Sequence, residues 1–300
     1  MEVNLRQCSN QELTSDRKEI LFAPIFIIGA PRSGTTWLQK MMLGSKEIAG
    51  GQESEFFLIF QSALNSVKNK HLNPRQVGLS TYWDEEGFYD LLRDIWVKTF
   101  CNTVLSKQTA KYLLEKTPTH ALHMDEIIKT LPKSKFIHII RDSRSVVASL
   151  LAASKGWGWQ WAPSSAKLAA VEWWRCVSKV KENSKKYSKD QYLEVHYEDL
   201  LIDPIEEMVR IYNFLEIDFS ADDITDIVHQ ESFDSQKKGN GAGMKTLKGL
   251  ELKEPSGFVR KGLPDSWKKE LSLFQKLVVW RYTRKLMREC GYNWAGRIKG

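Results

Sequence analysis

The chain has 300 residues, of which 42% are hydrophobic, 27% charged and 11% aromatic. This is enough apolar material for a full core, and it excludes a disordered chain, a collagen-like chain and a small disulfide scaffold. Lysine plus arginine number 44 against 37 aspartates and glutamates, a net charge of +7, which points to a polyanionic partner without choosing among nucleic acid, membrane surface and phosphorylated small molecule.

Residues 1–22 read as a polar segment with no apolar signal-peptide core, and no apolar run reaches the length of a membrane span. Cys8, Cys101, Cys176 and Cys290 lie far apart with no C-x-x-C pair, so neither a zinc site nor a disulfide framework is expected. A soluble, cytoplasmic protein in a reducing compartment is the expectation. Pro24 to Gly29 (PIFIIG) predicts a first buried strand, followed by Gly29-Ala30-Pro31-Arg32-Ser33-Gly34-Thr35-Thr36-Trp37 and a helix over Thr35 to Leu43. Backbone N–H groups of such a turn, added to the positive end of the helix dipole, cradle a phosphate. The Gly29 to Gly34 spacing is that of a nucleotide P-loop, but Thr35 stands where the lysine belongs and the basic residue has moved inside the loop, to Arg32. A kinase needs that lysine on the β/γ-phosphates and a hydroxyl on Mg²⁺, so a phosphate ligand held without metal fits better.

Further along, Gly51-Gln52-Glu53-Ser54-Glu55 precedes Phe56 and Phe57, which are pocket wall or helix core, and Leu114-Glu115-Lys116-Thr117-Pro118 carries an isolated lysine. Lys135 to Ile140 (KFIHII) predicts a second buried strand ending in Arg141-Asp142, with a helix over Ser143 to Ser154. Trp157, Trp159 and Trp161 in GWGWQW either line a pocket for a sugar, phenol or lipid or pack in the core. A long helix is expected over Ser164 to Lys186, a strand over Gln191 to Val195, a helix over Ile205 to Leu215 and another long one over Asp265 to Glu289. His138 and His196, inside strand-like runs, read as core or backbone-bonded histidines. Ser235 to Gly262 holds six of the eighteen glycines and many lysines and reads as a mobile loop. Strand-then-helix alternation predicts an α/β fold, a three-layer sandwich whose central parallel sheet is flanked by helices, with ligand loops at the carboxyl ends of the strands.

At these residues the chain resembles the superfamily of sulfotransferases that use 3′-phosphoadenosine 5′-phosphosulfate (PAPS), with mixed features of cytosolic, protein-tyrosine and bacterial-type members. PRSGTTW looks like the 5′-phosphosulfate loop, which implies Arg32, Ser33, Gly34, Thr35 and Thr36 as cofactor ligands, with Trp37 on the adenine. FIHIIRDSRSVVASL resembles the 3′-phosphate motif, with Arg141 and Ser149 as ligands. YEDLLIDP places Tyr197 beside the adenine, and HQESFDSQKK brings Ser232 and Phe233 to the base. FVRKGLPDSWKKEL resembles the carboxyl-terminal cofactor loop, in which Arg260, Lys261 and Gly262 would close on the 3′-phosphate and residues 235–262 would cover the cofactor. The resemblance runs from about Ile25 to the final CGYNW, in family order, and implies one sulfotransferase domain over 1–300. In the last loop Asp265-Ser266 stand where the cytosolic pattern has Gly-Asp.

Sulfuryl transfer resembles phosphoryl transfer, an in-line displacement with charge building on the bridging oxygen, so fixed cations carry much of the catalysis. The resemblance makes Arg32 and Lys116 those cations. The acceptor hydroxyl also needs a base within hydrogen-bond reach. Where cytosolic members have a histidine this chain has Pro118, with His120 two residues on. Glu53, twenty-one residues after Arg32, falls in the register of the protein-tyrosine sulfotransferase glutamate and is the preferred base, with His120 and Glu55 as alternatives. Partial burial, raising the Glu53 carboxylate pKa towards neutrality, is the expected means of activation. The implied activity is PAPS-dependent transfer of a sulfuryl group to a hydroxyl of a small molecule, carbohydrate or lipid, with no metal, no nucleic acid and no membrane span. The competing readings are a P-loop small-molecule kinase and a non-catalytic nucleotide- or polyanion-binding protein.

Overall fold

An unbroken apolar run such as Ile25 to Ile28 has no polar face to offer water, so it belongs in a strand covered on both sides. The computed structural model describes residues 13–68, 78–232 and 264–298. Its sheet consists of β1 (Ile25–Gly29), β2 (Ile48–Gly50), β3 (Tyr112–Lys116), β4 (Lys135–Ile140) and β5 (Tyr192–His196), ordered β2-β3-β1-β4-β5. Every pairing is parallel, with Ile27 beside Lys116 and Ile137, and Ile140 beside His196. The expected α/β sandwich is therefore present.

Alternation along β1 builds the two apolar layers. Phe26 and Ile28 enter one core cluster and Ile25 and Ile27 the other. The first layer takes Leu21 of α1 (Ser15–Phe22), Phe56 and Phe57 of α3 (Phe56–Ile59), Leu64 of α4 (Gln61–Lys68) and Trp96 of α5 (Glu85–Leu105). It also takes Ile127 of α6 (Met124–Thr130), Val146 of α7 (Ser143–Ser154) and Trp173 of α8 (Ala166–Asn183). The second takes Met41 of α2 (Thr35–Leu43), Leu200 of α9 (Tyr197–Ile202), Ile211 of α10 (Pro204–Leu215) and Ile224 of α11 (Ala221–Gln230). Phe56 and Phe57 are thus core residues. The chain leaves β1 towards β2 but leaves β4 towards β5, so a crevice opens between β1 and β4 at their carboxyl ends, the usual ligand position of an open parallel sheet.

Two expectations are corrected. The long helix over Asp265 to Glu289 is two, α12 (Trp267–Glu270) and α13 (Leu273–Glu289). Ser272 starts α13 with a capping box: its Oγ accepts from Gln275 N at 3.2 Å and its N–H donates to Gln275 Oε1 at 2.9 Å. The polar amino-terminal segment also contains α1, whose Arg17 donates to the carbonyls of Gln108 at 2.6 Å and Ala110 at 3.2 Å. Among the described residues no helix is long and apolar enough to cross a membrane. Cys101, Cys176 and Cys290 are buried free thiols, and Cys8 lies outside the described residues.

A buried polar anchor sits under the β4 end. Asp142 caps α7 through Arg144 N at 2.8 Å and takes the Arg144 guanidinium on both oxygens, at 2.9 and 2.6 Å. Arg144 is fully buried, stacks 3.8 Å from the Trp267 ring centroid and donates to the carbonyls of Trp294 and Asn293, at 2.5 and 2.9 Å. Glu198 completes the anchor, accepting from Asp142 N at 3.0 Å and Tyr292 OH at 2.6 Å, and burial pushes its carboxyl pKa up. This anchor ties the carboxyl-terminal turn to the sheet. R144A leaves a buried carboxylate without its partner, so it is expected to lose about 3–5 kcal/mol of unfolding free energy in urea titration. R144K should recover only part, since an ammonium cannot present a planar fork. An R144A protein as stable as the parent would rule the anchor out.

Candidate active site

The turn after β1 is held in a shape few side chains tolerate. Arg32 has φ +73° and Gly34, capping α2, has φ +100°. A Cβ on Gly34 would stand 2.4 Å from Tyr197 Cδ2, so only glycine lets the loop lie against that ring. Ser33 is fully buried and its hydroxyl has no partner among the described residues, while Thr35 and Thr36 begin α2.

Around this turn the structure assembles most of the sequence-predicted ligands. Arg32 Nε donates to Ser149 Oγ at 3.1 Å, and its guanidinium lies 5.2 Å from the Trp157 ring centroid. Arg141, leaving β4, donates from Nη1 to the Arg32 carbonyl at 3.2 Å and stacks 4.0 Å from the Tyr197 ring centroid. The Arg141 Nε is buried with no partner among the described residues. Trp37 meets Tyr197 edge-to-face at 5.8 Å and donates from Nε1 to the Glu231 carbonyl at 2.9 Å. Ser232 lies half-buried just beyond α11 and is not among the residues lining the crevice. Phe233, Arg260, Lys261 and Gly262, and with them the loop 235–262, fall outside the described residues.

The crevice is a cavity of about 560 Å³, lined on the loop side by Arg32, Gly34, Thr35, Thr36 and Trp37 and elsewhere by Arg141, Ser149 and Tyr197. That volume is in the range of small-molecule sites. Its far wall is mixed, with Leu58, Pro118, Trp157, Trp161 and Pro163 beside Glu53, Glu55, Glu172 and Glu270. Trp157 and Trp161 pack against each other at 5.5 Å, whereas Trp159 points away and is 71% exposed. The tryptophan cluster therefore divides between cavity wall and surface.

Lys116 ends β3 with its side chain 2% exposed. Its Nζ donates to Thr36 Oγ1 at 3.2 Å and pairs with Glu53, whose side chain is 41% exposed. Burial of Glu53, the expected route to an active base, is thus replaced by pairing with a buried ammonium. His120 does not reach the cavity. It is fully buried, its Nε2 accepting from Phe57 N at 3.3 Å and its Nδ1 donating to Glu115 Oε2 at 2.8 Å. Burial alone would raise the Glu115 pKa, but the hydrogen bonds it accepts from His120, Thr117 and Ser54 hold it below the usual carboxylate value. His138 and His196 bond to tyrosine hydroxyls, of Tyr192 at 2.8 Å and Tyr292 at 3.1 Å, rather than to backbone. Sequence reasoning missed Glu115, Thr117 and Arg144, each of which joins near neighbours to a partner far along the chain, Ser54, Glu55 and Trp294 respectively; the signal within reach was the clustering of Glu115, Thr117 and His120 around Lys116.

A family model described as Sulfotransferase family matches residues 24–221. The protein-tyrosine sulfotransferase of Drosophila melanogaster is 25% identical over 242 residues, covering 77% of this chain and 44% of that protein. Protein-tyrosine sulfotransferase 2 of Gallus gallus is 25% identical over 211 residues, covering 65% and 52% respectively. The chain thus spans about half the length of these relatives. Among solved structures, the sulfotransferase domain from the curacin biosynthetic pathway superposes with a TM-score of 0.57 at 18% identity, covering 88% of this chain and 97% of that one. Mouse sulfotransferase SULT7A1 complexed with PAP superposes with a TM-score of 0.56 at 16% identity, covering 92% and 90%. Identities this low make the structural likeness one of fold.

G34A tests the turn directly. The new methyl group meets a ring that cannot swing aside without releasing Arg141, in a backbone region L-residues rarely adopt. It is expected to weaken adenosine 3′,5′-diphosphate binding about tenfold or more, which corresponds to ~1.4 kcal/mol, while far-UV circular dichroism is unchanged. Parental affinity in G34A would show that the turn is not the anion cradle.

Proposed function

Because this chain belongs to the sulfotransferase family, we propose that it transfers a sulfuryl group from PAPS to a phenolic hydroxyl. The observation that carries this reading is Lys116: one buried ammonium joins Thr36 of the phosphate turn to the carboxylate of Glu53. An ammonium has three donors, and the third has no partner among the described residues.

The residues fit the donor nucleotide. The orphaned Ser33 hydroxyl, the Gly34 cradle and the amino terminus of α2 suit the 5′-phosphosulfate. Arg141, with its orphaned Nε, and Ser149 suit the 3′-phosphate, and Trp37 with Tyr197 offers aromatic surface for the adenine. Ser232, Phe233, Arg260, Lys261 and Gly262 belong to this reading as groups that complete the adenine and 3′-phosphate sites. The donor supplies sulfur in a mixed anhydride, so that transfer forms the acceptor O–S bond and breaks the S–O bond to the 5′-phosphate. Lys116 and Arg32 would offset the negative charge that the bridging oxygen gains as this bond breaks. Glu53 would accept the acceptor's hydroxyl proton at Oε2, the carboxylate oxygen that Lys116 does not hold.

The phenolic acceptor is supported by the paired Trp157 and Trp161 rings on the cavity wall and by relatives named for protein tyrosine. Placement in the cytoplasm remains part of the reading. Calorimetric titration with adenosine 3′,5′-diphosphate, free of metal, is expected to give binding that R141A weakens by about 1.5–3 kcal/mol. Binding that needs magnesium ATP instead would point to a kinase. With radiolabelled PAPS and either p-nitrophenol or a tyrosine-containing peptide, E53Q should lower turnover by roughly 10²-fold or more while leaving nucleotide affinity intact. Parental turnover in E53Q would remove Glu53 from the mechanism.

A further inference from the structure

Glu53 sits in an irregular turn, and irregular backbone leaves N–H groups that secondary structure does not satisfy. Here four successive amides each find a side-chain acceptor. Ser54 N donates to Glu115 Oε1 at 3.3 Å, Glu55 N to Thr117 Oγ1 at 3.1 Å, Phe56 N to Ser54 Oγ at 3.2 Å and Phe57 N to His120 Nε2 at 3.3 Å. The turn needs such restraint, since Glu55 is held at φ +51°.

Three of those acceptors come from the end of β3 and the turn after it, and they are joined to one another. Glu115 Oε1 also accepts from Ser54 Oγ at 2.8 Å and Thr117 Oγ1 at 2.7 Å, and Glu115 Oε2 accepts from His120 Nδ1 at 2.8 Å. Because His120 Nε2 receives an amide proton, its own proton sits on Nδ1, the arrangement that Glu115 requires. Glu115, Thr117 and His120 are 2%, 1% and 0% exposed. Resting on the reading of Glu53 as the base, we infer that Glu115, Thr117 and His120 are positioning residues that clamp the 54–57 backbone and thereby hold the Glu53 carboxylate on Lys116. None of the three is among the residues that line the cavity. Adjacent residues of one strand end thus fix the base twice, Glu115 through its backbone and Lys116 through its carboxylate.

The test uses the full chain, PAPS with p-nitrophenol as acceptor, and adenosine 3′,5′-diphosphate titrations. T117V keeps the shape of threonine and removes the hydroxyl that receives Glu55 N and donates to Glu115. T117S restores that hydroxyl, and E115Q removes the carboxylate. Misplacing a catalytic group by an ångström costs up to about 10²-fold, so T117V and E115Q are expected to lower kcat roughly tenfold or more with KM for PAPS and diphosphate affinity within about twofold. T117S should return kcat to near the parental value. The E53Q/T117V double variant should be no slower than E53Q, because a clamp acting through Glu53 has nothing left to position. Should E115Q fail to fold, the threonine pair carries the test. Parental kcat in T117V beside a slow E53Q overturns the clamp and leaves Glu53 as base. Additive losses in the double variant overturn it too, and an unimpaired E53Q overturns the base and the clamp together.

Discussion

A charge taken out of water has to be paired where it stands, and the Lys116 ammonium imposes that condition on everything around it. Parallel register puts Lys116 beside Ile27 on β1, two residues short of Gly29, so the phosphate turn begins within reach of its side chain. Thr36 and Glu53 then complete the pairing. Three stretches far apart in the chain, the start of α2, the turn after β2 and the end of β3, meet because one buried cation needs them.

The same economy recurs across the sheet. At three strand ends a pair of neighbouring residues divides its work: Arg141 and Tyr197 line the cavity and Lys116 bonds Thr36 and Glu53, which line it, while Asp142, Glu198 and Glu115 are the buried carboxylates of the anchors beneath. Alternation along β3 sends Glu115 and Lys116 to opposite sides, and the sharp turns out of β4 and β5 part the other two pairs in the same way. The side chains around the cavity are thereby mounted on strand ends that a buried carboxylate holds in place.

Much of this was readable before the fold was known. β4, α2 and α7 fall on the expected bounds because their periodicity is strong and sharp punctuation, Arg141-Asp142 or Gly34, marks their ends. The phosphate turn, Arg141, Ser149 and Tyr197 were legible as motifs and meet in space. β3 was not read as a strand, since Tyr112–Lys116 is short and ends in two charged residues, a pattern that says surface until the partners are known. The anchors were invisible for the same reason: Glu115 finds Ser54 across 61 residues and Arg144 finds Trp294 across 150. Glu53 was recognised by spacing, but spacing says nothing about exposure, and the expected burial gave way to an ion pair. His120, read as a possible base, serves the backbone instead.

The hydrogen bond between Arg32 and Ser149 ties the turn after β1 to α7, the two segments that the proposed function assigns to the 5′-phosphosulfate and the 3′-phosphate. A single guanidinium shared between them makes the two positions thermodynamically linked, because an anion settling at either one competes for the same side chain. A nucleotide with only one phosphate that drew either partner away would replace half of that bond, whereas one carrying anions at both ends would replace both halves at once. On the proposed reading, preference for a nucleotide with anions at both ends would already be written into the ligand-free protein, as a contact that such a ligand exchanges on both sides.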